Sequence, residues 1–251
     1  MEKVLHVNSM HLSFLRPLLK WRIMDLQSLW QECEFKMGYD NFYRIMRNLE
    51  RDHVLETHLD PFNKRKYFYL GKEGEKLLHH DHPTSVSKET LIHDLKVSEI
   101  SRKFMELNLV DEILLEHQIV DKSNFKNKEK LIPDAVYLGQ KNNQKYKMAF
   151  ELELSKKSNS RLTEKARMYQ ESEVYDFVLY FFAQEKFIEK YTTLFEKELN
   201  LSIKNKFMFF CNEALTSKDF NLATTEGVFR NEKVNLLSLF TRNDHAKTSI
   251  K

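Results

Sequence analysis

Three carboxylates that could act together lie between Leu131 and Leu154, in a stretch whose pattern predicts a β-hairpin. Asp134 lies in the first predicted strand, and Glu151 and Glu153 lie near the end of the second, after a polar turn around residues 139–144. Residues two apart on a strand share a face, so Glu151 and Glu153 should point the same way, with Asp134 across the hairpin. Clustered carboxylate oxygens are hard ligands that suit Mg²⁺ or Mn²⁺. These three residues are therefore candidate ligands of one divalent ion at the edge of a sheet.

The elements predicted around this hairpin follow the order α-β-β-β-α-β. A helix and a strand precede it, a helix and a strand follow it, and a further helix, a further strand and a weak last element complete the chain, at residues 90–107, 112–120, 161–172, 175–182, 187–199, 206–211 and 234–240. The segment 175–182 is almost uniformly apolar, as expected for a strand covered on both faces. This order is similar to that of the PD-(D/E)xK nuclease-like fold, in which the central hairpin carries Asp and then Glu-x-Lys.

Catalysis in such a fold needs a lysine beside the carboxylates. The metal ion polarises the scissile phosphate, and the lysine orients the attacking water and neutralises developing charge. Glu153 occupies the position of that lysine here. Lys165 on the next helix is the main candidate for a relocated catalytic lysine, and Lys156 and Lys157 are the others.

Two non-catalytic interpretations of these carboxylates remain open. In one, Glu153 and Lys165 form an ion pair at the sheet edge. In the other, the carboxylates pair with Arg161 or Arg167 inside an inactive nuclease-like scaffold. The segment 161–172 predicts a helix that presents Arg161, Lys165 and Tyr169 at spacings of four, and the side chain of Lys165 is long enough to reach over the hairpin.

The first 80 residues predict a winged helix-turn-helix domain. Apolar spacing predicts three helices, the first interrupted or ended near Pro17, followed by two strands and a closing helix, at residues 11–20, 25–34, 40–52, 54–59, 66–70 and 71–79. Asp25 is a predicted N-cap. The turn between the two strands would be the wing, and it carries Lys64 and Arg65.

The third helix has a polar face suited to DNA. Its candidate DNA-binding residues lie opposite the apolar stripe, namely Asn41, Tyr43, Arg44, Arg47, Asn48 and Arg51. Arg and Asn side chains pair with guanine and adenine edges in the major groove. Lys64 and Arg65 would touch phosphates or the adjacent minor groove. The alternative is a solvated, Arg-rich face in a winged helix that binds protein.

Composition limits the class of protein. The chain has 251 residues and a formal net charge of +3, which alone does not indicate a polyanionic partner. Two cysteines far apart, no long apolar run and no signal-peptide pattern predict a cytoplasmic protein without a membrane partner. The linker-like stretch 83–88 predicts two domains, at residues 1–82 and 83–251. The histidines at 79, 80 and 82 fit a solvated helix end better than a metal site.

Taken in order, these motifs resemble the replication-relaxation proteins of bacterial plasmids and mobile elements. The resemblance rests on the winged helix, His93-Asp94-Leu95-x-Val97, Ile132-Pro133-Asp134-Ala135, Phe150-Glu151-Leu152-Glu153, and Lys165 with Tyr169. It covers roughly residues 10–185. The resemblance implies a role in plasmid replication, DNA relaxation or transfer, with double-stranded DNA and other replication or transfer proteins as partners.

Three hypotheses follow. In the first, the protein binds duplex DNA and its nuclease-like domain is not catalytic, so it has no required cofactor. In the second, it is a Mg²⁺- or Mn²⁺-dependent endonuclease or nickase using Asp134, Glu151, Glu153 and Lys165. In the third, it is a protein-interaction adaptor whose helix face from Asn41 to Arg51 is buried against a partner. Winged helices commonly bind DNA as dimers, and the apolar helices at 89–108 and 187–199 are the candidate seams of a homodimer.

Overall fold

A computed structural model describes residues 7–33, 37–78, 84–119, 131–199 and 205–240. The fold is mixed α+β, as predicted, with a helical first part followed by a mixed sheet. The chain divides into two compact units, residues 1–99 and 100–251. That division falls inside a helix, Leu91–Glu106, whereas the sequence predicted a boundary between residues 82 and 83. The histidines at 79, 80 and 82 lie outside the described residues.

The first unit is built from short helices and a three-stranded antiparallel sheet in the order β1-β3-β2. Its elements are α1 Ser9–Trp21, β1 Ile23–Asp25, α2 Leu26–Glu32, α3 Tyr39–Arg51, β2 Leu55–Leu59, β3 Lys66–Leu70 and α4 Lys72–Leu78, followed by the start of α5 Leu91–Glu106. The helices and the two later strands were predicted. The first strand was missed because three residues are too short to show a period.

Local chemistry explains where these helices begin and end. The side chain of Asp25 accepts a hydrogen bond from the Ser28 amide at 3.0 Å and so caps α2, as predicted. The predicted break near Pro17 is wrong, because α1 continues to Trp21. Phe14, Leu15 and Leu18 are fully buried on that helix. Their burial outweighs the hydrogen bond that proline cannot donate.

The second unit contains a seven-stranded sheet in the order β10-β9-β8-β7-β6-β5-β4. After α5, its elements are β4 Glu112–Leu115, α6 Glu116–Ile119, β5 Ala135–Lys141, β6 Gln144–Glu153, α7 Asn159–Glu171, β7 Phe177–Phe182, α8 Lys186–Glu198, β8 Phe207–Cys211, β9 Glu226–Phe229, β10 Glu232–Asn235 and α9 Leu236–Phe240. Strands β6, β7 and β8 run parallel, and the other pairs are antiparallel.

The hairpin β5–β6 turns more tightly than predicted. Asn142 and Asn143 both adopt positive φ, at 51° and 63°, which is the backbone that a two-residue hairpin turn requires and that Asn tolerates. Asp134 precedes β5 and does not lie within it. The predicted strand 112–120 is wrong in its second half, because β4 ends at Leu115 and α6 follows.

The core of the second unit is aromatic. Tyr180 and Phe182 of β7 pack against Tyr191 and Phe195 of α8, with ring centroids 4.8 to 5.8 Å apart in three of these contacts. The apolar stripe of α8 that suggested a dimer seam is therefore buried within the chain. On α5, Ile100 and Phe104 are also fully buried. Homodimerisation stays a prediction, and it would need a surface other than these stripes.

Candidate functional site

Asp134 is held against the end of strand β6. Its Oδ2 accepts a hydrogen bond from the backbone amide of Leu152 at 2.7 Å. Its carbonyl oxygen accepts another from the amide of Glu116 at 3.0 Å. The hairpin register, which pairs Ala135 with Phe150, therefore brings Asp134 beside the Glu151–Glu153 segment as predicted.

Glu151 is fully buried and both of its carboxyl oxygens have partners from α7. Oε2 accepts from Lys165 Nζ at 2.6 Å, and Oε1 accepts from the Tyr169 hydroxyl. Lys165 and Tyr169 are four residues apart and so share one helix face. The predicted helix therefore places Lys165 over the hairpin, and Tyr169 reaches the same carboxylate, which was not predicted.

Glu153 has its own cation. Its Oε1 accepts from Lys157 Nζ at 2.8 Å, and Glu153 is as buried as Glu151. The Tyr191 hydroxyl of α8 is close enough to Glu153 for the carboxylate to raise the pKa of that tyrosine, after the larger effect of burial. Tyr191 was missed from the sequence, where it reads only as one apolar residue on an amphipathic helix.

The two carboxylates do not have ordinary acidities. Burial and then the charge of Asp134 raise the pKa of Glu151, Lys165 and Tyr169 lower it, and the net value is about 7. Burial also raises the pKa of Glu153, against the effect of Lys157. For Lys165, burial lowers the pKa but Glu151 and Asp134 outweigh it, so the net pKa is raised and the ammonium stays charged.

These contacts decide between the interpretations left open by the sequence. Lys165 pairs with Glu151, and the predicted pair between Glu153 and Lys165 is wrong because Lys157 occupies that carboxylate. The predicted pairing with Arg167 is also wrong, since its guanidinium lies 3.4 Å from Glu198 on α8.

The carboxylate arrangement does not fit a divalent ion. In the part of the chain that the structure describes, no group of three or more His, Cys, Asp or Glu side chains is placed to hold one. The oxygens of Glu151 already accept from Lys165 and Tyr169, and one oxygen of Asp134 accepts from a backbone amide. The proposed shared site of Asp134, Glu151 and Glu153 is corrected accordingly: the positive charge comes from lysine ammonium groups.

Helix α3 presents a second candidate site. Phe42, Met46 and Leu49 are buried along one side. All six predicted DNA-binding residues of the helix are exposed on the rest of its surface, namely Asn41, Tyr43, Arg44, Arg47, Asn48 and Arg51. We call these six residues the α3 face. Arg44 donates to Asn41 at 3.1 Å, and the Arg47 guanidinium lies 5.9 Å from the Tyr43 ring centroid.

The turn between β2 and β3 completes this site. Lys64 and Arg65, predicted to bind DNA, are exposed there. The last turn of α3 is fastened to the two strands by Glu50, which accepts from Thr57 of β2 at 2.8 Å and from Lys66 of β3 at 2.7 Å. Glu50 therefore links α3 directly to both strands of the hairpin.

A comparison with protein families decides the relationship that the motif order suggested. The replication-relaxation family matches residues 15–174 of the 251, more than half of the chain. The chain belongs to this family. A comparison with curated proteins gave no match.

Both candidate sites of this replication-relaxation protein fall largely within the matched segment. The α3 face, the turn with Lys64 and Arg65, and the Asp134, Glu151 and Lys165 group all lie between residues 15 and 174, whereas Tyr191 lies beyond it. Family membership suggests a role in the replication or relaxation of plasmids or mobile elements. Among the described helices, none has the length and apolar character needed to cross a membrane.

Proposed function

We propose that this replication-relaxation protein binds duplex DNA through a winged helix formed by its first unit, in plasmid or mobile-element replication, relaxation or their regulation. The observation that carries the proposal is the exposure of every predicted DNA-binding residue on α3 and on the following turn. The element order α1-β1-α2-α3-β2-β3, with an antiparallel sheet β1-β3-β2, supports it as well.

In this proposal α3 is the recognition helix. Arg44, Arg47 and Asn48 would read base edges in the major groove, where bidentate Arg and Asn contacts carry sequence information. Lys64 and Arg65 would contact the backbone beside it, because the β2–β3 turn is fastened to α3 through Glu50. The two cysteines have free thiols, which is compatible with the predicted cytoplasmic location.

Duplex binding by an Arg44→Ala/Arg47→Ala variant tests the proposal. Each lost base contact weakens binding by about 1–3 kcal/mol, so the pair should reduce affinity at least tenfold in fluorescence anisotropy with labelled duplex. Arg16→Ala is the matched control, because Arg16 is an exposed cation on α1 outside the α3 face. Equal affinities of the double variant and the wild type would disprove the recognition-helix assignment.

We further propose that the nuclease-like second unit does not cleave DNA, and that Glu151, Lys165 and Tyr169 fasten α7 to the sheet. The observation behind this proposal is that both oxygens of Glu151 accept from α7 side chains. Supercoiled plasmid incubated with the protein and Mg²⁺ or Mn²⁺ should stay supercoiled. Metal-dependent nicking that disappears in Asp134→Asn would establish the alternative, an endonuclease.

A further inference from the structure

The tip of the β2–β3 turn displays an aromatic ring to solvent. Phe62 has 62% of its surface exposed, the second-highest value among the described large hydrophobic residues, after Leu59 at 63%. Single exposed apolar side chains are common on protein surfaces. Phe62 calls for an explanation because hydrogen bonds from buried polar side chains fix the turn that carries it.

Two buried polar residues fix the backbone of this turn. Asp60 Oδ1 accepts from the amide of Phe62 at 2.8 Å, while the Asp60 amide donates to the Arg65 carbonyl at 3.0 Å. Asn63 Oδ1 accepts from the Arg65 amide at 2.8 Å, and its Nδ2 donates to the Tyr67 hydroxyl at 2.9 Å. Asp60 and Asn63 are almost completely buried, so these bonds are shielded from water.

A buried charge lies under the turn. Lys96 of α5 has no exposed surface, and its Nζ lies 2.8 Å from Glu99 Oε2 and 3.9 Å from Asp60 Oδ2. A charged network without access to water is costly to form and is kept only in a well-defined geometry. Asp60 is thus held from both sides, and the position of Phe62 is set by groups that the solvent does not reach.

The surroundings of the ring point to one class of partner. Lys64 and Arg65 follow Phe62 within three residues and are exposed, whereas Lys66 on β3 is paired with Glu50. An apolar side chain with cations beside it is the combination used by proteins that insert a wedge between base pairs from the minor groove, while the cations contact the phosphates. An apolar protein surface would gain nothing from the cations.

We propose that Phe62 enters the minor groove of bound duplex DNA and partly unstacks one base step, so that the DNA bends away from the turn. This inference rests on the proposed function of the first unit and names the way in which the turn engages its substrate. Pyrimidine–purine steps such as TA and CA unstack most easily, so the bound sites should carry such a step under the turn.

The test measures DNA bending by the full-length protein. Because the DNA sequence is not known, the probe is a set of duplexes retained by the wild-type protein from a random-sequence library, labelled at both ends for energy transfer. Wild-type protein should shorten the end-to-end distance. Phe62→Ala should abolish that shortening and weaken binding about tenfold, and Phe62→Trp should restore it.

Leu59→Ala is the matched control, because Leu59 is equally exposed but lies on β2 and not at the tip. It should bend DNA like the wild type. If Phe62→Ala bends DNA as the wild type does, the wedge is disproved while duplex binding stands. If the wild-type protein retains no duplex from the library, both the wedge and the proposed function are disproved. If the wild-type protein does bind duplex, loss of binding in Arg44→Ala/Arg47→Ala together with normal bending by Phe62→Ala means that only the wedge is disproved.

Discussion

The α3 face and the carboxylate site use charged residues in opposite ways. On the α3 face, Arg44, Arg47 and Arg51 are exposed to solvent. At the carboxylate site, Glu151 and Glu153 are buried, and lysines of the same chain lie 2.6 and 2.8 Å from them. A solvated charge costs the fold little and remains available to a ligand, whereas a buried charge must be compensated inside the protein.

This difference predicts that substitutions at the two sites will affect different quantities, namely the affinity for DNA and the free energy of unfolding. Changes on the α3 face should alter affinity for DNA and leave the free energy of unfolding unchanged. Changes at Glu151 or Lys165 should do the reverse. Four predictions sharpen or break that division, in order of decreasing effect.

The largest effect is expected from Lys165→Met, which keeps the length of the side chain and removes its charge. Glu151 would then be buried without its cation. Breaking a buried pair in this way costs about 3–5 kcal/mol of the free energy of unfolding, which urea denaturation measures. Lys156→Met is the control, because Lys156 is exposed on the segment between β6 and α7. A loss below 1 kcal/mol would mean that the pair does not hold α7 on the sheet.

The second prediction concerns pH. Because burial raises the pKa of Glu151 to about 7 from an ordinary value of 4.5, the folded protein binds this proton more tightly than the unfolded chain. The stabilising contribution is complete below pH 4.5 and is lost as the pH rises through 7. Between pH 5 and pH 8 it should fall by roughly 2–3 kcal/mol.

Glu151→Gln isolates this contribution, since glutamine has the same shape and does not titrate. The pH dependence of the free energy of unfolding should be flatter in the variant by the stated amount. The raised pKa of Lys165 does not affect this window, because the lysine keeps its proton between pH 5 and pH 8 in both the folded and the unfolded state. Identical slopes for the variant and the wild type would show that Glu151 is ionised throughout.

The sequence predicted the helices and residues that form both sites, but it did not predict which of the charged side chains are buried. The period of the apolar residues located α3, and the helix spacing of Lys165 and Tyr169 put both on one face. Burial could not be read in the same way. Glu151 stands in a segment that alternates in the printed sequence, and nothing local shows that Lys165 and Tyr169 will each bond to one of its oxygens.

Three features of the fold were missed or misplaced from the sequence, each for a different reason. Strand β1 has three residues and strands β9 and β10 have four each, so no period develops within them. Strand β4 was extended too far because the segment ends in two β-branched residues, Ile119 and Val120, although residues 116–119 form α6. Lys96 was read only as one position of the amphipathic α5; its burial against Asp60 depends on a contact between residues 36 positions apart.

The third prediction concerns the turn cations. If Lys64 contacts a phosphate, Lys64→Ala should weaken duplex binding by about 1 kcal/mol and reduce the slope of log affinity against log salt by about one. The loss should be the same for every duplex sequence, because phosphates carry no sequence information. Lys72→Ala, at an exposed lysine on α4, should change neither quantity. A sequence-dependent loss in Lys64→Ala would mean that the lysine reads a base edge.

The fourth prediction has the smallest expected effect and compares the exposed and the buried side of α3. Arg44→Ala/Arg47→Ala should change the free energy of unfolding by less than about 0.5 kcal/mol, because both guanidinium groups are exposed and bind no buried carboxylate. Met46→Ala, on the buried side of the same helix, should cost about 2–5 kcal/mol. A double Arg variant as unstable as Met46→Ala would place the α3 face inside a packed interface. That result would favour an adaptor that binds protein, since a face that is needed for stability is not free to enter a groove of DNA.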